Sequence, residues 1–95
     1  MEFAMFPTDK GKHVSPYVKK VIAMIDSLPY NSQLTPMGTI VECDTMDECL
    51  SVISKANAIL EPEAERIYCT AKFDNKPGLK NQMAHKIEAV RGKTE

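Results

Sequence analysis

Asn31-Ser32-Gln33-Leu34-Thr35-Pro36-Met37-Gly38-Thr39-Ile40-Val41-Glu42-Cys43 is the stretch that decides the fold. Thr35-Pro36-Met37-Gly38 puts Pro at the second and Gly at the fourth position of a four-residue turn, as a type I turn prefers. Its flanks, Asn31–Thr35 and Thr39–Cys43, are each long enough for a short strand. The second opens with three β-branched residues, Thr39, Ile40 and Val41, which suit a pleated surface. The stretch therefore predicts a β-hairpin in mid-chain.

On its N-terminal side, Pro29 stops an amphipathic helix. Val18, Val21, Ile22, Ile25 and Leu28 fall at i, i+3, i+4, i+7 and i+10, one stripe of a helix. Ser15-Pro16 reads as its N-cap followed by Pro at the first helical position. Thr8 to His13 is polar and contains Gly11, so it forms a loop, and Glu2–Pro7 before it, rich in Phe and Met, is a first strand. On the C-terminal side, Thr45-Met46-Asp47-Glu48 fits a capping box. Met46, Cys49, Leu50, Ile53, Ala56, Asn57 and Leu60 then mark the expected buried side of a second helix, ended by Pro62. From Arg66 to Asp74 the chain alternates: Ile67, Cys69, Ala71 and Phe73 point one way and Arg66, Tyr68, Thr70, Lys72 and Asp74 the other. After a turn at Asn75–Gly78, residues Leu79 to Arg91 carry Met83, Ile87 and Val90 at helical spacing, and Lys93–Glu95 form a frayed tail.

The order strand, helix, strand, strand, helix, strand predicts an α+β, ferredoxin-like βαββαβ arrangement with an additional C-terminal helix, in one domain over 1–95. Two helices cover one face of a four-stranded antiparallel sheet and leave the other open. Period-two reasoning puts Ala4, Phe6, Gln33, Thr35, Ile40, Glu42, Tyr68, Thr70 and Lys72 on that open face, an assignment that a one-residue slip would invert. A face mixing aromatic, β-branched and polar groups suits self-association with polar pockets at its edge.

Composition narrows the function classes. Of the 95 residues 43% are hydrophobic and 26% charged, with a net charge of −1. That balance argues against a polyanion partner, which demands a basic excess. The aromatic signature that RNA-recognition domains carry on a central strand is absent, and Tyr68 alone does not replace it. No apolar run approaches the roughly 20 residues that span a bilayer, and no signal-peptide pattern follows Met1; a cytoplasmic location is expected. Cys43, Cys49 and Cys69 are odd in number and lack CxxC spacing, so free, packing thiols are expected. Neither His13 nor His85 lies at a metal-ligand spacing from them. No nucleophile elbow, phosphate loop or zinc-protease motif occurs. The acidic group Asp44, Asp47 and Glu48 is what a helix N-terminus favours.

The hairpin segment Ser32 to Glu42 resembles the hallmark of the thiamine-binding protein family, small ferredoxin-like proteins long catalogued as uncharacterised. Thr70-Ala71-Lys72-Phe73-Asp74 is similar to that family's Thr-x-Lys-x-Asp pattern, and the likeness covers nearly the whole chain. Cys43 and Cys69 are not family hallmarks. The resemblance implies a binding protein rather than an enzyme, no cofactor, and a homodimer or homotetramer associated through the open sheet face. It also implies thiamine or hydroxymethylpyrimidine as ligand, at a sheet-edge or intersubunit pocket. For such a ligand, Phe6, Met37 and Tyr68 offer flat or adaptable apolar contact. Gln33, Thr35 and Thr39 offer hydrogen bonds, and Glu42 complements the thiazolium cation. Lys72 would meet an oxygen or phosphate tail, or pair with Glu42. Thr35 to Thr39 also makes a sound hairpin turn without any ligand. The alternative is an oligomeric regulatory or structural protein that binds another small metabolite.

Overall fold

Alternation in the first strand sets the layers. In β1 (Glu2–Pro7) Phe3, Met5 and Pro7 are buried, while Glu2, Ala4 and Phe6 between them stay partly exposed. The computed structural model describes residues 1–78 and 80–92. After β1 come α1 (Ser15–Asp26), β2 (Asn31–Thr35), β3 (Gly38–Glu42), α2 (Met46–Leu60), a 3-10 turn (Glu61–Glu63), β4 (Ile67–Lys72) and α3 (Gln82–Ile87). A π-helical turn, Glu88–Gly92, continues α3. The strands lie in the order β2-β3-β1-β4, each neighbouring pair antiparallel. This is the expected ferredoxin-like sheet. Phe3 and Met5 from β1, Val41 from β3, Val21 and Ile25 from α1, and Val52, Ala56 and Leu60 from α2 form one core between the helices and the sheet.

Three local expectations are corrected. Val14, not Ser15, occupies the N-cap of α1. It already has helical backbone angles and makes no side-chain cap bond. Its carbonyl accepts from Tyr17 N at 3.0 Å and Val18 N at 3.1 Å, so the helix starts one residue early and Pro16 still falls where no donor is required. In α2 the buried stripe is Cys49, Val52, Ala56 and Leu60. Met46 and Leu50 are 40% and 47% exposed, because the stripe is rotated toward Val52, and Asn57 reaches Glu61 at 3.4 Å instead of the core. The third helix, expected from Leu79, begins only at Gln82, because Asn81 adopts the left-handed conformation (φ 58°). Asn tolerates that region but a helix cannot run through it. Leu79 and Lys93–Glu95 lie outside the described residues.

The capping box of α2 forms as expected. Glu48 N donates to Thr45 Oγ1 at 3.1 Å and Thr45 N donates to Glu48 Oε1 at 3.0 Å. The hairpin turn is also built as its sequence requires. Thr35 Oγ1 accepts from Met37 N (3.2 Å) and Gly38 N (3.1 Å) and donates to Gly38 O (2.7 Å). Gly38 passes so close to β1 that a Cβ there would stand 3.0 Å from the Phe3 carbonyl oxygen.

Leu60 is fully buried and Leu50 is not. Leu60→Ala should therefore cost about 2–5 kcal/mol in urea denaturation. Leu50→Ala should cost about 1 kcal/mol or less. Equal losses would contradict the observed rotation of α2.

Candidate functional site

The register of the sheet brings together residues far apart in sequence. Gln33 on β2 pairs with Ile40 on β3, Ile40 with Glu2 on β1, and Glu2 with Lys72 on β4. Paired residues share a face, so Gln33, Ile40, Glu2 and Lys72 form one row across the whole open side. The next residue of β3 on this face is Glu42, opposite Asn31. The open-face set expected from alternation is thus the set that faces away from the helices.

One end of this face is covered by α3. Both oxygens of Glu42 accept amide hydrogens from its first turn, Gln82 N at 2.7 Å and Met83 N at 3.5 Å. A carboxylate is favourable there, because the first amides of a helix have no partner within it. On the other side, Lys86 forms a short ion pair with Asp74, just beyond β4. That partner holds the Asp74 carboxyl below its ordinary value, and the hydrogen bond from Lys86 is the main cause.

Between α3 and the sheet lies a cleft of about 420 Å³, within the range of small-molecule sites. Gln33, Ile40, Glu2 and Lys72 make its floor and Gln82, Met83, Lys86 and Ile87 its cover. Phe73 and Met46 close the sides. The floor carries an ion pair, Lys72 Nζ to Glu2 Oε1 at 3.4 Å, so Lys72 pairs with Glu2 and not with Glu42. With its side chain 85% exposed, Lys72 gains little from that pairing and keeps donors for other groups. Gln33 is exposed at the cleft, and no hydrogen-bond partner for its amide occurs among the described residues.

Cys43 and Cys49 stand on the same wall. Their sulfurs are 2.7 Å apart. Burial, and after it the neighbouring Cys49 thiol, push Cys43 up to about 12.

The residues expected to bind a ligand divide into groups. Gln33, Glu42 and Lys72 line the cleft. Phe6 and Tyr68 sit farther along the open face, their rings 5.8 Å apart and tilted by 40°. Thr35 is engaged in the hairpin turn, and Met37 at the turn tip is 84% exposed. Thr39 faces the helix layer and is buried, so it is no part of the cleft. Met83 and Ile87 were not in the expected set. Their spacing marked an apolar helix face, and the open side of the sheet was the surface available to it. His13 and His85 are both exposed, one in the β1–α1 loop and the other on α3. Among the described residues no group of three or more His, Cys, Asp or Glu side chains is arranged to hold a metal ion, and no helix is long and apolar enough to cross a membrane.

Comparison with known proteins agrees with the fold. A family model described as thiamine-binding protein matches residues 1–91. The UPF0045 protein MJ1052 of Methanocaldococcus jannaschii is 29% identical over 89 residues, 94% of this chain and 88% of that protein. The UPF0045 protein Mb1933 of Mycobacterium bovis is 27% identical over 88 residues, 93% of this chain and 86% of its own length. The crystal structure of hypothetical protein MJ1052 superposes with a TM-score of 0.83 at 28% identity, covering 94% of this chain and 91% of that one. Protein SP2199 of Streptococcus pneumoniae, at 19% identity, shares the fold with a TM-score of 0.73, over 90% of this chain and 99% of that one.

If Glu42 holds α3, Glu42→Ala should raise amide hydrogen exchange at Gln82 and Met83 by about tenfold, the loss of a charge-assisted bond of roughly 1.5 kcal/mol. Exchange that stays at the wild-type rate would show that α3 docks by other contacts. The Asp74–Lys86 pair adds a pH dependence. A depressed carboxyl stabilises the fold fully above its unfolded value of about 3.9 and loses that contribution as pH falls through the folded value. Protection of the Gln82–Ile87 amides, measured against their intrinsic exchange rate at each pH, should therefore fall below about pH 4, and Asp74→Asn should blunt the change.

Proposed function

The chain belongs to the thiamine-binding protein family, and on that premise we propose that it binds thiamine, or the hydroxymethylpyrimidine half of it, in the cleft between the open sheet face and α3, without transforming it. The observation that carries this reading is the row Gln33, Ile40, Glu2 and Lys72 beneath Met83 and Ile87. An aminopyrimidine is flat and presents ring acceptors beside an exocyclic donor. Ile40 below and Met83 above form an apolar slot for the ring, and a thioether adapts well to a flat π surface. Gln33 supplies a donor and an acceptor from one side chain. The carboxylates of Glu2 and Glu42 complement the thiazolium cation. Lys72 complements an alcohol or phosphate tail once the ligand replaces its weak pairing with Glu2.

Phe6, Tyr68 and Met37 lie outside the cleft in a single chain. In this reading they belong to the surface on which a second copy stacks, in a cytoplasmic homodimer or homotetramer formed through the open sheet face. The cleft mouth would then be completed at the interface. The second reading, an oligomer that serves a regulatory or structural role with another metabolite, draws support from the Phe6–Tyr68 pair, whose exposure favours association with or without a ligand.

Isothermal titration with thiamine and with hydroxymethylpyrimidine separates the two. Saturable binding of either compound is expected. Gln33→Leu should weaken it by about tenfold, the worth of a hydrogen bond lost in a partly dry site, with the sedimentation coefficient unchanged. A stable oligomer that takes up neither compound would support the second reading and remove the first.

A further inference from the structure

Cys43 directly follows β3 and Cys49 lies in the first turns of α2, and the loop between them is fixed by one carboxylate. Glu48 Oε1 accepts from Asp44 N at 2.8 Å and from Thr45 N at 3.0 Å, while Glu48 N donates to Thr45 Oγ1 at 3.1 Å. These bonds hold the strand end against the helix start and bring the two sulfurs to 2.7 Å. That is well under an ångström longer than a covalent S–S bond of about 2.05 Å. We propose that Cys43 and Cys49 are a thiol pair that closes to an intramolecular disulfide on exposure to a small organic disulfide, and that Cys69 takes no part.

The exchange balances without any other reactant. One protein thiolate attacks a sulfur of the external disulfide, forms a mixed disulfide and expels the first small thiolate. The second protein sulfur, after losing its proton, attacks the protein sulfur of the mixed disulfide and expels the other small thiolate. Two protein thiols are oxidised, the external disulfide is reduced, and the two protons end on the two released thiols. Cys43 is the more exposed of the pair and is the sulfur the external disulfide reaches, while Cys49 is buried and closes the ring. Because the partners are already in place, ring closure outruns the accumulation of the mixed disulfide.

Two consequences follow from the position of the pair. Both cysteines lie on the wall of the cleft, so the disulfide ties that wall to α2 one residue from Glu42, which carries α3. The rate is slow at neutral pH, because the thiolate of Cys43 is scarce when burial pushes it up to about 12. It should rise by about tenfold per pH unit in the alkaline range.

The test uses full-length protein with Cys69→Ala, a substitution on an exposed edge-strand residue, incubated with oxidised glutathione. The expected product has lost both remaining thiols, carries no glutathione, and yields a peptide spanning Cys43 and Cys49 that is two hydrogens lighter. The further variants Cys43→Ser and Cys49→Ser should form no such species. A stable glutathione adduct on either cysteine would overturn the proposal. So would two unreacted thiols under conditions in which the unaltered protein takes up glutathione at Cys69. Mapping the Cys69→Ala protein decides the question even if one of the serine variants fails to fold.

Discussion

Glu42 stands at the end of β3 with its carboxylate turned away from the core, and both of its oxygens accept amide hydrogens from the start of α3. The rest of the candidate site depends on this contact. A sheet covered by helices on one side leaves the other side in water, and a helix as short as α3 has little stability of its own. The carboxylate answers both problems. It gives the first turn of α3 the acceptors it lacks, and it lays the apolar edge of the helix, Met83 and Ile87, over Ile40 and the row beside it. The space left between is a cleft and not a core. The residues facing each other across it are too polar on the floor and too few on the cover to pack shut.

Most of the fold was legible in the sequence because it rests on local rules that tertiary packing does not override. The capping box at Thr45 and Glu48 and the hairpin turn at Thr35–Gly38 formed where the residue pattern put them; β4 keeps the expected register against β1, but as an edge strand it is covered only at Ile67, and Cys69 and Ala71 are exposed like the residues between them. Alternation also assigned Gln33, Ile40, Glu42 and Lys72 to the open side, and the register supports this pair by pair. The departures arose where two local rules competed. Ser15 is a good cap, but the Val14 carbonyl was already available to two amides. The stripe expected for α2 passed over Val52, which joins the core with Phe3, Met5 and Val41, while Met46 and Leu50 stay exposed. Asn81 looks like an ordinary helical residue until its left-handed backbone ends the loop and starts α3 late.

The cleft was less legible, since it depends on where a short helix comes to rest. No periodicity in residues 79–91 names the surface that its apolar face will meet. Thr39 illustrates the opposite limit. As a residue type it suits a hydrogen-bonding site, but period two in a short strand places it against the helices while its neighbours Gly38 and Ile40 face outward. Chemical suitability and geometric placement are separate tests, and only residues that pass both, Gln33, Glu42 and Lys72 among those expected, reach the cleft.

The proximity of Cys43 and Cys49 has the same origin as the cleft. Glu42 and Cys43 are consecutive, so one must face the open side of the sheet and the other the helix layer. Glu42 goes out and receives α3; Cys43 goes in and meets the first turns of α2. The capping box fixes how α2 begins, and through Glu48 it fixes the Asp44–Thr45 connection as well. Neither the acidic residue that holds the cleft cover nor the thiol beneath the cleft wall can shift without moving the other. A change at one side of this strand end therefore reaches the other through a single backbone step, which is the shortest coupling that a two-layer fold offers between a surface site and its interior.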